Sequence, residues 1–214
     1  MQRLRVRFTR GEEIKYLSHL DMTRLWERVF TRAGVDIAFS EGFNPHPRLS
    51  LAAPLVVGMT AESELMDIFV EGTITPHWFM SAVKNQLPVG VDILDTCLVS
   101  TLLPSLQAQV KQADYCVKVG KIGGPDDVEK AIEAILDSDT FPWSHERDTG
   151  KREYDLRPLI DDIRLVSDDG AVCTLEMRLR CDSTGSGRPE QVVKALGFTA
   201  YPFSISRTRL LLGS

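Results

Sequence analysis

Arginine occupies every second position from Arg3 to Arg7, and Leu4, Val6 and Phe8 fill the positions between and after. A repeat of two is the signature of a strand with one apolar and one polar face, whereas a helix would scatter these guanidinium groups around its circumference. The alternation therefore predicts a strand over Gln2–Thr9, with Leu4, Val6 and Phe8 packed against helices and Arg3, Arg5 and Arg7 on the opposite face. Alternate side chains on a strand recur about every 7 Å, so such a row suits a phosphate backbone. The same face equally suits packing on a second domain, or interleaving with carboxylates from neighbouring strands. No apolar signal-peptide core tolerates arginine at this density, which points to a cytoplasmic chain.

The next segments switch period. Ser18, three residues before Asp21, makes a capping-box-like start, and Met22, Leu25, Val29, Phe30 and Ala33 follow at helical spacing until Gly34. Short apolar pieces at 36–39 and 49–53 flank Gly42-Phe43-Asn44-Pro45-His46-Pro47-Arg48, whose two prolines continue neither helix nor central strand, so this heptapeptide predicts an exposed loop. A strand over 64–70, a helix opened by Pro76 and a strand over 89–99 complete the order strand, helix, strand, strand, helix, strand. After Pro104 the order returns: a strand near 109–119, a helix over 125–136, an extended piece near Phe141, a strand near 163–166, a hairpin at Ser167–Gly170 into 171–181, a helix over 189–196 and a strand over 203–211. The expected fold is α+β, two tandem ferredoxin-like (βαββαβ) units with antiparallel sheets, over residues 1–102 and 103–214.

Among 214 residues, 43% are hydrophobic and 26% charged, the balance of an ordinary globular chain able to bury a core without a staple. The net charge of −5 hides an asymmetry: residues 1–50 carry nine Lys or Arg against six Asp or Glu, so an anionic partner should meet this quarter first. Arg24, Arg28 and Arg32 share one helix face at four-residue spacing, either as a binding stripe or as a solvated face relieved by Asp21 and Glu27. His19 sits at the first position of that helix, where free amides favour an anion. If the proline-framed loop folds back over the helix start, then His19, His46 and Arg48 could surround a phosphate or act on it as acid and base. Ser18 and Asp21 are fully explained as caps.

Other functions are disfavoured. Cys97, Cys116, Cys173 and Cys181 form no CxxC pair and no CxxxCxxC cluster of the kind that holds iron and sulfur, so they are expected to be buried, reduced thiols. His19, His46, His77 and His145 form no HxxxH or HExxH pair, so neither metal nor cofactor is expected. No window reaches about 18 uninterrupted apolar residues, which excludes a transmembrane helix and makes a membrane partner unexpected. Thr184-Gly185-Ser186-Gly187-Arg188 reads as a helix lead-in or an amide nest for phosphate. Lys151–Ile160 mixes charge, an aromatic and a proline, suiting either an interdomain contact or a binding edge.

Three stretches together, Tyr16-Leu17-Ser18-His19-Leu20-Asp21, Gly42–Arg48 and Tyr154-Asp155-Leu156-Arg157-Pro158-Leu159, resemble the radical SAM-associated (radical SAM-linked) proteins, a bacterial domain of unknown function. In that family the domain is fused behind a radical SAM enzyme or encoded beside one. The resemblance implies an accessory role in modification or maturation of RNA or the ribosome, with the radical chemistry in the partner enzyme. His19, Asp21, Asn44, His46 and Arg48 occupy its motifs.

Three functions compete. The first is a non-enzymatic module that presents structured RNA or a ribosomal particle to a radical SAM enzyme, through Arg3, Arg5, Arg7, Arg24, Arg28 and the motif residues; few aromatics accompany these arginines, which favours backbone and shape recognition over base stacking. The second is a metal-independent endoribonuclease using His19 and His46, similar in architecture to the CRISPR repeat-processing enzymes. The third is a protein-only scaffold docking on a radical SAM enzyme through the exposed loop.

Overall fold

The computed structural model describes residues 1–147 and 150–213, and the chain divides into two compact units, Met1–Val110 with the C-terminal residues from Leu212, and Lys111–Leu211. Both mix a few helices with antiparallel strands.

In the first unit the elements are β1 (Gln2–Arg10), a 3-10 turn (Glu12–Ile14), α1 (His19–Ala33), β2 (Leu49–Leu51), β3 (Thr60–Val70), α2 (Pro76–Lys84), β4 (Ile93–Val99) and the one-turn α3 (Leu106–Gln109). Its strands lie in the order β4-β1-β3-β2, each antiparallel to its neighbour. The alternation in β1 sets the layering. Leu4, Val6 and Phe8 are buried on the helix side against Trp26 and Phe30 of α1, Met66 and Ile68 of β3, and Phe79 and Val83 of α2. Phe8 meets Trp26 edge-on at 5.0 Å between centroids, Trp26 stacks on Phe30 at 5.3 Å, and Phe30 reaches Phe79 at 5.7 Å. Such offset and edge contacts add to the burial of the rings themselves.

The boundaries of α1 follow from its caps. Ser18 Oγ accepts from Asp21 N–H at 3.2 Å, while the Asp21 carboxylate accepts from Ser18 N–H at 3.3 Å and from its hydroxyl at 2.6 Å, a closed capping box. At the far end Gly34 adopts φ 69°, a left-handed conformation that costs a side-chain-bearing residue but not glycine.

The second unit contains β5 (Val110–Gly120), α4 (Val128–Leu136), β6 (Pro142–Arg147), β7 (Gly150–Asp155), a 3-10 turn (Arg157–Leu159), β8 (Ile160–Asp168), β9 (Val172–Asp182), the two-residue β10 (Gly185–Ser186), α5 (Pro189–Ala195) and β11 (Ser204–Leu212). The strand order is β8-β9-β5-β11, with β10 beside the last residues of β9. Val117, Val119, Leu175, Met177, Ile132, Ile135 and Val192 are buried in its interior. Where the sequence reading has only an extended piece near Phe141, the chain forms the β6–β7 hairpin. Gly150–Glu153 is exposed on both faces, so no apolar alternation marks it. No helix among the described residues is long and apolar enough to cross a membrane.

Candidate nucleic-acid interface

Arg3 and Arg5 lie on the sheet face opposite the helices, but that face is covered. Asp67 of β3, 1% exposed, accepts from Arg3 Nε at 2.9 Å and Nη2 at 2.6 Å and from Arg5 Nε at 2.8 Å and Nη2 at 3.0 Å. The rest of the Arg3 guanidinium donates to the carbonyls of Leu103 and Pro104, both at 2.8 Å, and Arg5 reaches Gln109 Oε1 at 3.2 Å. The segment after β4 thus turns back across the sheet, pinned further by Gln107 Nε2 on the Leu51 carbonyl at 2.9 Å and by buried Leu106. One carboxylate serves two guanidinium groups, and backbone and amide oxygens complete the set, which is what keeping buried arginine charged requires. Arg3 is only 3% exposed, whereas Arg7 is half-exposed with Asp95 4.0 Å away. The row expected to meet a phosphate backbone is therefore, at Arg3 and Arg5, an internal ion-pair network. The missed signal is Asp67, a lone acid in the otherwise apolar run Leu65-Met66-Asp67-Ile68-Phe69.

The helix start and the proline-framed loop do not meet. His19 lines a small hollow with Phe8, Arg10, Met22 and Glu64, whereas His46 lines a groove with Glu27, Thr31 and Gly34, two to four turns along α1, about 12–22 Å at 1.5 Å per residue. Strand geometry explains the separation. The base of the loop is tied by Ser40 N–H to the His46 carbonyl (2.8 Å), Arg48 N–H to the Ala38 carbonyl (2.7 Å) and Ala38 N–H to the Phe69 carbonyl (2.8 Å). Phe69 lies near the end of β3 that pairs with Gln2, but the start of α1 follows the opposite end of β1, where Arg10 pairs with Ala61. Arg48 turns away again: its guanidinium stands 4.1 Å from the centroid of Phe69, on the face that carries Arg3, and Nη1 lies 3.1 Å from Met1 Sδ. Asn44 is at the exposed tip, beside fully exposed Phe43. His19 and His46 share no phosphate position, and the expected cluster of His19, His46 and Arg48 is not assembled.

Asp21 is held by its cap, and the Ser18 hydroxyl that donates to it pulls its carboxyl below the usual range, with the Ser18 amide adding to the effect. Arg24 and Arg28 are exposed on the outer face of α1, and with exposed Arg32 they form a file. Arg28 Nε donates to the Arg24 carbonyl at 3.3 Å and Arg32 Nη2 to the Gln86 carbonyl at 3.0 Å. None of the three is in an ion pair among the described residues.

In the second unit, two candidate stretches serve the fold. Arg157 donates to the carbonyls of Leu136 (3.0 Å), Ser138 (3.2 Å) and Ile160 (2.6 Å), tying off the end of α4, while Asp155 accepts from the amides of Phe141 and Arg157 and Leu156 is wholly buried. Thr184–Arg188 is not an open nest: Asp182 takes the Thr184 hydroxyl at 2.6 Å and the amides of Thr184 and Gly185 at 2.8 and 3.1 Å, and Gly187 N–H is spent on the Arg180 carbonyl. The Thr184 hydroxyl, with Arg180, holds the Asp182 carboxyl far below its ordinary range. None of the four cysteines is in a disulfide among the described residues. Cys173 is buried and Cys97 exposed, so burial is not general among them; desolvation raises the thiol pKa of both. Among the described residues no three His, Cys, Asp or Glu side chains gather as metal ligands would; the side chain of His145 lies outside those described.

These features define a mixed α+β protein of antiparallel sheets whose exposed cationic file lies on one helix. Residues 3–189 match the family described as "Uncharacterized protein conserved in bacteria (DUF2344)", and the chain belongs to that family. No curated protein matches it. Among solved structures it is similar to a Cbf5-Nop10-Gar1 complex (9% identity, TM-score 0.49, 96% of this chain and 48% of that chain). It is also similar to an archaeal box H/ACA sRNP Nop10-Cbf5 complex (11%, 0.48, 96% and 47%) and to an H/ACA RNP bound to a substrate RNA containing 2′-deoxyuridine (10%, 0.47, 96% and 47%). The chain spans about half the length of the chains it matches.

Proposed function

We propose that the protein is a non-enzymatic accessory module that binds structured RNA, or a ribosomal particle through its RNA, and acts beside a separate radical SAM enzyme in modification or maturation. The observation that carries the RNA reading is the file of Arg24, Arg28 and Arg32, exposed and without a carboxylate partner among the described residues. Successive members rise about 6 Å along α1, and like charges so placed repel one another unless an anion lies across them. Arg7, half-exposed, stands on the opposite face of the sheet with Asp95 4.0 Å away, and Arg3 and Arg5 support the sheet, so the strand row lies apart from this file. The radical SAM partner rests on the sequence resemblance. The order βαββαβ in the first unit, and in the second once the β6–β7 hairpin and the two-residue β10 are set aside, with the first strand between the third and fourth of the remaining four, supports a tandem ferredoxin-like reading. The distance between His19 and His46 weighs against an endoribonuclease.

The test is fluorescence anisotropy of a labelled structured RNA at several salt concentrations in EDTA, followed by a denaturing gel. Binding should weaken steeply with salt and leave the RNA intact. Replacing Arg24, Arg28 and Arg32 together with alanine should reduce the slope of log K against log salt by about 2–3, roughly one for each phosphate that is no longer neutralised. An unchanged slope removes the helix file from the interface, and cleavage that vanishes in His19→Ala or His46→Ala restores the enzyme reading.

A further inference from the structure

The groove between α1 and the proline-framed loop lies apart from the cationic file, at the edge of the core. It is an open groove of about 680 Å³, within the range of ligand-sized clefts, and buried Val35 and Ile37 line it. Phe39, Pro45 and Pro47 form an apolar wall; the prolines fix the backbone and present no N–H, and Phe39 remains 57% exposed. The Phe39–Pro47 bridge and the hydrogen bonds of Ser40 with His46 hold this wall in place before anything binds.

The charge in the groove is the opposite of that on the outer face of α1. Glu27 projects from the helix and Asp36 from the segment after it, and neither carboxylate has an ion-pair or hydrogen-bond partner among the described residues. A phosphate would meet two carboxylates and a hydrocarbon wall there, with His46 the one ionisable side chain of the lining that is not an acid and the Thr31 hydroxyl already donating to the Glu27 carbonyl. A primary ammonium or guanidinium next to an aliphatic side chain would meet its complement in both charge and polarity.

We propose that this groove receives an extended segment of a partner protein in which Lys or Arg stands beside an aliphatic residue, so that RNA and protein partners use different faces of the first unit. The inference stands whether or not the RNA reading does.

A fluorescein-labelled octapeptide, Ser-Gly-Lys-Leu-Lys-Val-Gly-Ser, is titrated into the full chain and compared with the same peptide carrying Glu for Lys or Ser for Leu and Val. Amide shifts in ¹⁵N-labelled protein locate the site. Only the Lys/Leu/Val peptide should bind, with shifts concentrated at Glu27, Thr31, Asp36, Phe39 and His46. The double variant Glu27→Gln, Asp36→Asn should weaken binding by about five- to tenfold, the size expected of two partly solvated ion pairs. Both positions lie at the surface, and an unchanged melting temperature confirms that the variant is folded. Equal binding of the Lys and Glu peptides, unaltered affinity in the folded variant, or shifts centred elsewhere overturns the proposal. So does displacement of the peptide by structured RNA, which would assign the groove to the nucleic acid; failure of RNA to bind anywhere would leave the peptide result standing and remove only the RNA reading.

Discussion

Two rows of three arginines lie within the first 32 residues, and the fold uses them in opposite ways. In β1, Arg3 and Arg5 converge on one buried carboxylate while Arg7 remains half in solvent. In α1, Arg24, Arg28 and Arg32 stay exposed with no carboxylate partner among the described residues. The side chains are the same; the neighbours differ. A central strand has a partner on each side, so one acidic residue in register, Asp67 opposite Arg5, captures two cations at once. A surface helix brings its own residues only within three or four positions, and Asp21 is already occupied by Ser18.

The largest expected effect comes from breaking the strand row at its centre. Asp67→Ala leaves two guanidinium groups beneath the covering segment without their counter-charge, and should cost about 3–5 kcal/mol in urea unfolding, the cost of orphaning one side of a buried pair. Arg7→Ala, at the exposed end of the same row, should shift the midpoint hardly at all. Equal effects would mean that the covering segment opens readily and that Arg3 is solvated.

How much of this contrast is legible in sequence depends on where the partner lies. The strand itself, the Ser18–Asp21 cap and the stop at Gly34 are written in residues a few positions apart, and the structure has them where the local pattern puts them. The neutralisation of Arg3 and Arg5 depends on Asp67, more than 60 residues away, and on carbonyls about 100 residues away, and no local period encodes such pairings. The misplacement of His46 has the same origin: which end of β3 anchors the loop is a matter of register, fixed only when the strands pair. The β6–β7 hairpin is hidden for a different reason, since Gly150–Glu153 of β7 is wet on both faces and carries no alternating pattern.

A second arginine sharpens the comparison from the other unit. Arg157 has no carboxylate partner among the described residues but three backbone carbonyls, two of them at or just past the end of α4, where helix carbonyls lack intrahelical donors. Arg157→Ala should destabilise by about 1.5–3 kcal/mol, as charged hydrogen bonds to carbonyls do, and Arg157→Lys should recover only part of this because one ammonium cannot span the three acceptors. Full recovery by lysine would reduce the role to charge alone.

The helix start gives a smaller effect with a pH signature. Ser18→Ala should cost about 1 kcal/mol by removing the cap. Because the folded carboxyl of Asp21 is depressed below its unfolded value, its contribution is present above about pH 4 and disappears as pH falls through the folded value. The difference between wild type and Asp21→Asn in urea midpoint should therefore shrink as pH drops from 6 to below 3. A constant difference would mean that the capping box holds equally well through a neutral acid.

The smallest effect on stability belongs to the row with the greatest proposed role in binding. Replacing Arg24, Arg28 and Arg32 with alanine removes three like charges at four-residue spacing and substitutes a better helix former, two changes that favour the helix. It also strips long side chains from the outer face and removes Arg24 and Arg28, whose charges add to the Ser18 hydrogen bonds in lowering the Asp21 carboxyl. These contributions oppose one another, and the unfolding midpoint should move by no more than about 0.5 kcal/mol in either direction, the usual range for surface positions. A much larger loss would show that the file packs against something in the folded chain and is not free for a ligand. Stability near wild type together with a flattened salt dependence of RNA binding would separate the two rows cleanly, one holding the sheet together and the other kept charged and open for a partner.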